Sequence, residues 1–166
     1  MSLSRFAKAA VQKSVADPAN RGKVAEGKVR EALKKLEAEY VEFTFNRILD
    51  AHSAGGKLSA QPGDFQAFGW GRNWLLEVKE VAHDYRLGHN NFPLASVARM
   101  RKRQAAGSEC LVLLYHSTTK CWRFPRFDLF LHRDGGSWDF RGTPLVDLDS
   151  TLKRIFTDAR SASKTQ

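Results

Sequence analysis

Between residues 21 and 39 apolar side chains return every three or four positions, at Ala25, Val29, Ala32, Leu33 and Leu36. That spacing lays them along one stripe of a helix, and Asn20, after Asp17-Pro18-Ala19, suits its N-cap. At about 100° per residue Glu26 borders the stripe, within reach of the groove between helix and sheet, while Glu31 points away. The period then changes. In YVEFTFN (40–46) Val41, Phe43 and Phe45 alternate with polar neighbours, which predicts a strand. Residues 50–63 read as a loop by composition. DFQAFGW and NWLLEVKE predict two further strands joined at Gly71-Arg72. In the second, Trp74, Leu76 and Val78 face one way, and Leu75, Glu77 and Lys79 the other.

Residues 82–92 read as a polar loop, and PLASVARMRKRQAAG as a helix opened by Pro93 and closed by Gly107. CLVLLYH (110–116) is continuously apolar, as a central strand should be, with KCWRFPRF as its partner. With HSTTK as the turn, Cys121 falls opposite Tyr115 and Cys110 opposite Arg126. A last helix follows Asp149-Ser150, with Leu152, Ile155 and Phe156 inward. The order is helix, three strands, helix, strand pair, helix: an α/β domain with helices packed on a mixed central sheet. One domain is expected over residues 21–160, with a basic arm at 1–20 and a disordered tail at 161–166.

Charge sharpens the picture because it is uneven. The net +9 divides into +6 over residues 1–35, −3 over 36–98, +6 over 99–126 and zero over 127–166. Basic segments flanking an acidic middle suit a protein that grips phosphates and keeps carboxylates at its centre; a generally basic solvated surface is the other reading. The expected phosphate contacts are Arg21, Lys23 and Lys28 in the first segment. In the second they are Arg99, Arg101, Lys102, Arg103, Arg123 and Arg126. Two cysteines that should not meet favour a reducing compartment, hence the cytoplasm. No apolar run is long enough to cross a membrane, and the basic, Ala-rich N-terminus lacks the apolar core of a secretory signal. The five histidines lack zinc-like spacing, and no Walker-type loop is present, which argues against nucleotide triphosphate chemistry.

One pattern carries chemistry. Asp64, behind Pro62-Gly63, precedes Glu77 by thirteen positions and Glu77 precedes Lys79 by two. The stretch is either a sheet edge with ordinary surface charges or a metal site. If the hairpin folds, Asp64 comes beside the strand that carries Glu77, and two converging carboxylates repel unless a cation joins them. Oxygen donors suit magnesium, with manganese able to substitute, and the Val78 backbone carbonyl adds a further ligand. Lys79 would orient water or neutralise phosphate charge. Glu-x-Lys alone is a weak signal, since Glu26-Gly27-Lys28 repeats it on a helix where i and i+2 share no face.

The arrangement resembles the PD-(D/E)xK nuclease superfamily, with Gly63 where that family often has proline. More narrowly, RGKVAEGKVREAL, GDF, LLEVKE and NNFPLASVARMRKRQ resemble segments of RecU-type Holliday junction resolvases and their archaeal relatives. The likeness spans about residues 21 to 126; the 50–63 loop is shorter than the stalk associated with RecU. It implies a restriction-endonuclease-like core in which Asp64 and Glu77 hold the metal and Lys79 assists hydrolysis. Glu26 would bind a metal water or second ion, and Gln104 would approach from the following helix, although a solvated Gln104 fits the residues equally. The expectation is a magnesium-dependent endonuclease acting as a homodimer on branched DNA, most simply four-way junctions. Two alternatives stand beside it: a nuclease of this fold acting on duplex or damaged DNA, and a DNA-binding module without catalysis.

Overall fold

The helical stripe and the alternation that follows it meet on one sheet. The computed structural model describes residues 22–49, 62–82, 85–133 and 135–163; the expected arm at 1–20 lies outside them. Helix α1 covers Lys23–Glu39, followed by strands β1 (Phe43–Arg47), β2 (Phe65–Gly69), β3 (Arg72–Val81) and β4 (Arg86–Gly88). Helix α2 (Leu94–Ala105), β5 (Glu109–His116), β6 (Cys121–Arg123), β7 (Ser137–Asp139), β8 (Leu145–Val146) and α3 (Leu148–Ser163) complete the chain. Six strands form a mixed sheet in the order β1-β2-β3-β5-β6-β8, parallel between β3 and β5 and antiparallel elsewhere. Strands β4 and β7 pair apart from it as a short ribbon.

The period-two pattern of β3 places it between two cores. Trp74, Leu76 and Val78 pack with Ala25, Val29 and Leu33 of α1 and Leu152 and Phe156 of α3. Leu75 and Val81 pack on the opposite face with Val97 and Met100 of α2, Leu87 of β4, Phe92 and Trp138. Large side chains such as Trp74, Phe156 and Phe92 are fully buried, each worth about 1.5–3 kcal/mol in area removed from water. The arrangement is the expected one, helices on both faces of a mixed sheet.

Several local expectations shift. The β2–β3 turn centres on Trp70-Gly71, not Gly71-Arg72, since Gly69 pairs with Arg72. Both central residues have positive φ, 50° and 75°, as a two-residue turn matching strand twist requires. Tyr40 and Phe43 pack on the Trp70 ring at 5.7 and 6.0 Å, which compensates a conformation that tryptophan seldom adopts. Val41, expected in β1, lies outside the strand and is exposed. Cys121 pairs with His116 and not Tyr115, because the turn is one residue shorter than HSTTK; both thiols are free. Residues 82–92 contain β4, a short 3-10 helix at His89–Asn91, and buried Leu87 and Phe92. Helix α3 runs to Ser163, past the expected start of the tail. Among the described residues no helix is long and apolar enough to cross a membrane.

Candidate active site

Strand β3 outruns β2. Phe65 opens β2 opposite Leu76, so among the described residues Glu77 to Val81 have no strand partner on that side, and a notch is left in the sheet. The chain enters β2 through Gly63-Asp64. Gly63 has φ +79°, and a Cβ there would lie 2.7 Å from Leu75 Cδ1 and 3.0 Å from the Leu76 carbonyl oxygen. Only glycine lets the backbone pass so close to β3. The next residue is then fixed at three points. Asp64 N–H donates to the Leu76 carbonyl at 2.7 Å, and the Asp64 carbonyl accepts from Ile48 N–H at 2.8 Å. Its carboxylate oxygen Oδ2 accepts from Val78 N–H at 2.6 Å. Within a strand the N–H and C=O of one residue point the same way, so the Val78 carbonyl also faces the notch.

Glu77 and Lys79 lie on the α2 face, opposite Val112 and Leu114 of β5. Glu77 is buried and forms an ion pair with Lys79, whose ammonium sits 5.5 Å from the centre of the Phe92 ring. Burial, and then the charge of Glu77, push Asp64 up to about 7, against the lowering effect of the Val78 hydrogen bond and of Lys79. Burial pulls Lys79 down, but the Glu77 carboxylate more than reverses this and holds the ammonium above its ordinary value. Glu26 reaches the same region from α1. It pairs with Arg47 at 2.8 Å, and its charge is felt at both Asp64 and Lys79. The start of α1 is tied to β3 where the Gly22 N–H donates to Glu80 Oε2 at 3.2 Å.

The donor set fits a hard divalent cation. Two carboxylates close enough to raise one of their pKa values, beside a backbone carbonyl, form an oxygen-only site of the kind magnesium occupies while keeping several waters. Among the described residues no three His, Cys, Asp or Glu side chains converge to hold an ion by themselves. Water must therefore complete any coordination.

The other expected residues divide by position. Lys23 and Lys28 are exposed near the start of α1, and the Lys28 ammonium lies 5.7 Å from the Tyr115 ring centre. Because Tyr115 pairs with Glu80, that lysine stands at the notch end of the sheet. Arg101, Lys102 and Arg103 are exposed near the far end of α2. Arg103 lines a depression of about 320 Å³ with Ile48, Leu49, Pro62, Gln66 and Leu75, beside the loop that delivers Asp64. Gln104 is not brought to the carboxylates; it lines a separate hollow with Glu109, Phe124 and Arg126. Arg123 donates to the carbonyls of Phe140 and Thr143. Arg126 pairs with Asp128 at 3.0 Å, and Arg99 bonds Ser96 at 3.4 Å. Arg21 lies outside the described residues. Sequence reasoning missed Arg47, Phe92 and the tether from Glu80. Their partners lie 13 to 58 residues away, beyond the reach of any local period.

No family model and no curated protein matches the sequence. Solved structures do. The Holliday junction resolvase Hjc of the archaeal hyperthermophile Archaeoglobus fulgidus aligns over 78% of this chain and 98% of its own, with TM-score 0.55 and 19% identity. A bacterial homing endonuclease, I-Ssp6803I, aligns over 90% of this chain and 99% of its own, with TM-score 0.47 and 12% identity. The fold is a restriction-endonuclease-like one, shared with the archaeal resolvase.

Proposed function

We propose that this chain is a magnesium-dependent endodeoxyribonuclease whose substrate is branched DNA, most simply a four-way junction cut by a homodimer. The observation that supports it most is the notch itself. Asp64 is anchored on Val78 N–H and feels the charge of the Glu77 carboxylate, which is itself paired with Lys79. A binding module has no use for a buried carboxyl that burial, and then the charge of a second carboxylate, hold near pH 7. An enzyme does.

Asp64, Glu77 and the Val78 carbonyl would hold the ion, with Glu26 meeting it through water. When bound, magnesium or manganese supplies Lewis-acid stabilisation of charge building on a phosphate oxygen. The chain contributes the rest. Lys79, held by Glu77 and by the face of Phe92, offers ammonium protons to orient a water or neutralise the phosphate. Arg47, paired with Glu26, would fix the position of that carboxylate. Resolution of a junction into two duplexes needs two cuts, and one notch serves one phosphate, so two copies are implied. The junction preference rests on the likeness to the archaeal resolvase and on the resemblance of the sequence segments quoted above.

The test is cleavage of a four-way junction beside a matched linear duplex, with magnesium, with manganese and with excess EDTA. Junction nicking that needs the metal is expected. Asp64→Asn, Glu77→Gln and Lys79→Ala should each lose at least about 100-fold in rate while still binding DNA, because phosphate contacts elsewhere dominate affinity. Glu26→Gln should slow cutting and the exposed Glu31→Gln should not. Cutting that persists in EDTA, or in Glu77→Gln at the wild-type rate, would overturn the site.

A further inference from the structure

The β4–β7 ribbon is attached beside the notch and has no part in the chemistry above. Its three pairs are Arg86 with Asp139, Leu87 with Trp138 and Gly88 with Ser137. Leu87 and Trp138 are buried against Phe92, Phe130 and Phe140, so one face is fixed to the core. The outer side is arginine on aromatic. The Arg86 and Arg141 guanidiniums lie 5.4 and 5.2 Å from the centre of the Tyr85 ring, and Arg133 lies 5.8 Å from that of Trp138. All three arginines are exposed. Asp139 engages Arg141 at 2.5 Å and stands opposite Arg86. Among the described residues, Arg86 and Arg133 form no ion pair.

We propose that this ribbon is a second nucleic-acid contact, holding the phosphodiester backbone of the substrate through Arg86, Arg133 and Arg141. The proposal rests on the nuclease reading. Proximity carries it. The Lys79 ammonium lies 5.5 Å from the Phe92 ring, Phe92 lies 6.1 Å from Trp138, and Arg133 lies 5.8 Å from Trp138. Three short steps thus join the catalytic lysine to the ribbon, a span of only a few phosphates at a rise of about 3.4 Å per nucleotide. Stacking adds a second reason. A free arginine loses up to about 2 kcal/mol of rotamer entropy when ordered, whereas these are already laid on rings. Each guanidinium presents a planar fork suited to phosphate, and Arg141 keeps donors beyond those engaged by Asp139. An acidic protein would meet the same forks, but the shared border with the notch favours the strand being cut.

The experiment is a salt titration of binding to a four-way junction and to linear duplex, in EDTA so that nothing is cleaved. The wild-type chain of 166 residues is compared with Arg86→Ala/Arg133→Ala/Arg141→Ala and with a charge-matched control, Lys34→Ala/Lys153→Ala/Arg154→Ala. Thermal melting checks that each folds. Arg86→Ala alone, which leaves the Arg141–Asp139 pair and the Trp138 stack in place, is the second arm. The triple variant should bind 10- to 100-fold more weakly, and its slope of log K against log salt should fall by about 2 to 3, near 0.9 for each lost phosphate contact. Arg86→Ala should lower the slope by about one, and the control should change it least. If wild type binds DNA and both ribbon variants match it, the ribbon idea is overturned and the nuclease reading stands. If wild type binds neither DNA, the nuclease reading fails and takes the ribbon with it.

Discussion

Asp64 is the residue on which the site turns, and its raised pKa has a measurable sign. In an unfolded chain its carboxyl titrates at about 3.9; in the folded, metal-free protein it titrates at about 7. The folded state then binds the proton more tightly, so stability from this group is full below about pH 4 and declines as pH rises to about 7. Above about 7 the loss is complete, until a cation replaces the proton. Asp64→Asn keeps an oxygen for Val78 N–H and removes the charge. Metal-free wild type should therefore lose Tm relative to Asp64→Asn between about pH 5 and 7. Added magnesium at about pH 8 should raise the Tm of wild type more than that of the variant. Parallel melting curves across that range would contradict the burial and repulsion described. At this scale the sequence was legible where strand periodicity does the placing: alternation alone puts Glu77 and Lys79 on one face. The Glu26–Arg47 pair was not legible, because it joins a helix to the end of a strand 21 residues on.

At the scale of elements the site depends on how β2 begins. Gly63 is both left-handed and pressed against β3, whereas Gly71 in the β2–β3 turn, also left-handed, has open space where a Cβ would go. The two glycines separate conformational strain from steric exclusion. Gly71→Ala should cost about 1 kcal/mol from backbone strain and leave catalysis unchanged. Gly63→Ala adds a clash with Leu75 and with the Leu76 carbonyl, so the entry must shift and the Asp64 carboxylate with it. A cost of about 2–4 kcal/mol, with loss of most activity in the folded fraction, is expected. Denaturant titration and nicking rates, corrected for fraction folded, measure both; equal behaviour of the two variants would remove the special role of Gly63. Helix periodicity and strand alternation in the sequence reveal α1, α2 and the β1–β3 meander. They missed β4 and β7 because strands of three residues are too short for a period. There a single anchor per strand, Leu87 or Trp138, does the packing.

For the whole molecule the question is how one notch would serve the branched substrate proposed above. Lys23 and Lys28 stand near the start of α1, Arg103 beside the loop to Asp64, Arg86 on the ribbon past Phe92, and Arg133 over the ring of Trp138. Cations therefore come from several elements: Lys23, Lys28 and Arg103 belong to the two basic segments of the sequence, whereas Arg86 and Arg133 lie outside both. That arrangement can hold one stretch of backbone. A single subunit so equipped would nick any duplex that reaches the notch. A junction resolved into two duplexes needs a second notch at a fixed distance, and in a closed two-fold assembly the same patch is buried on each copy. Sedimentation at the concentrations used for cleavage should therefore give a homodimer. Paired cutting of the junction should fall with the dimer fraction on dilution, while nicking per subunit on duplex should not. Competition at moderate salt should favour the junction over duplex, because non-specific phosphate contacts weaken first. A monomer that binds both DNAs equally would leave a nuclease of this fold acting on ordinary duplex, with no part in junction resolution.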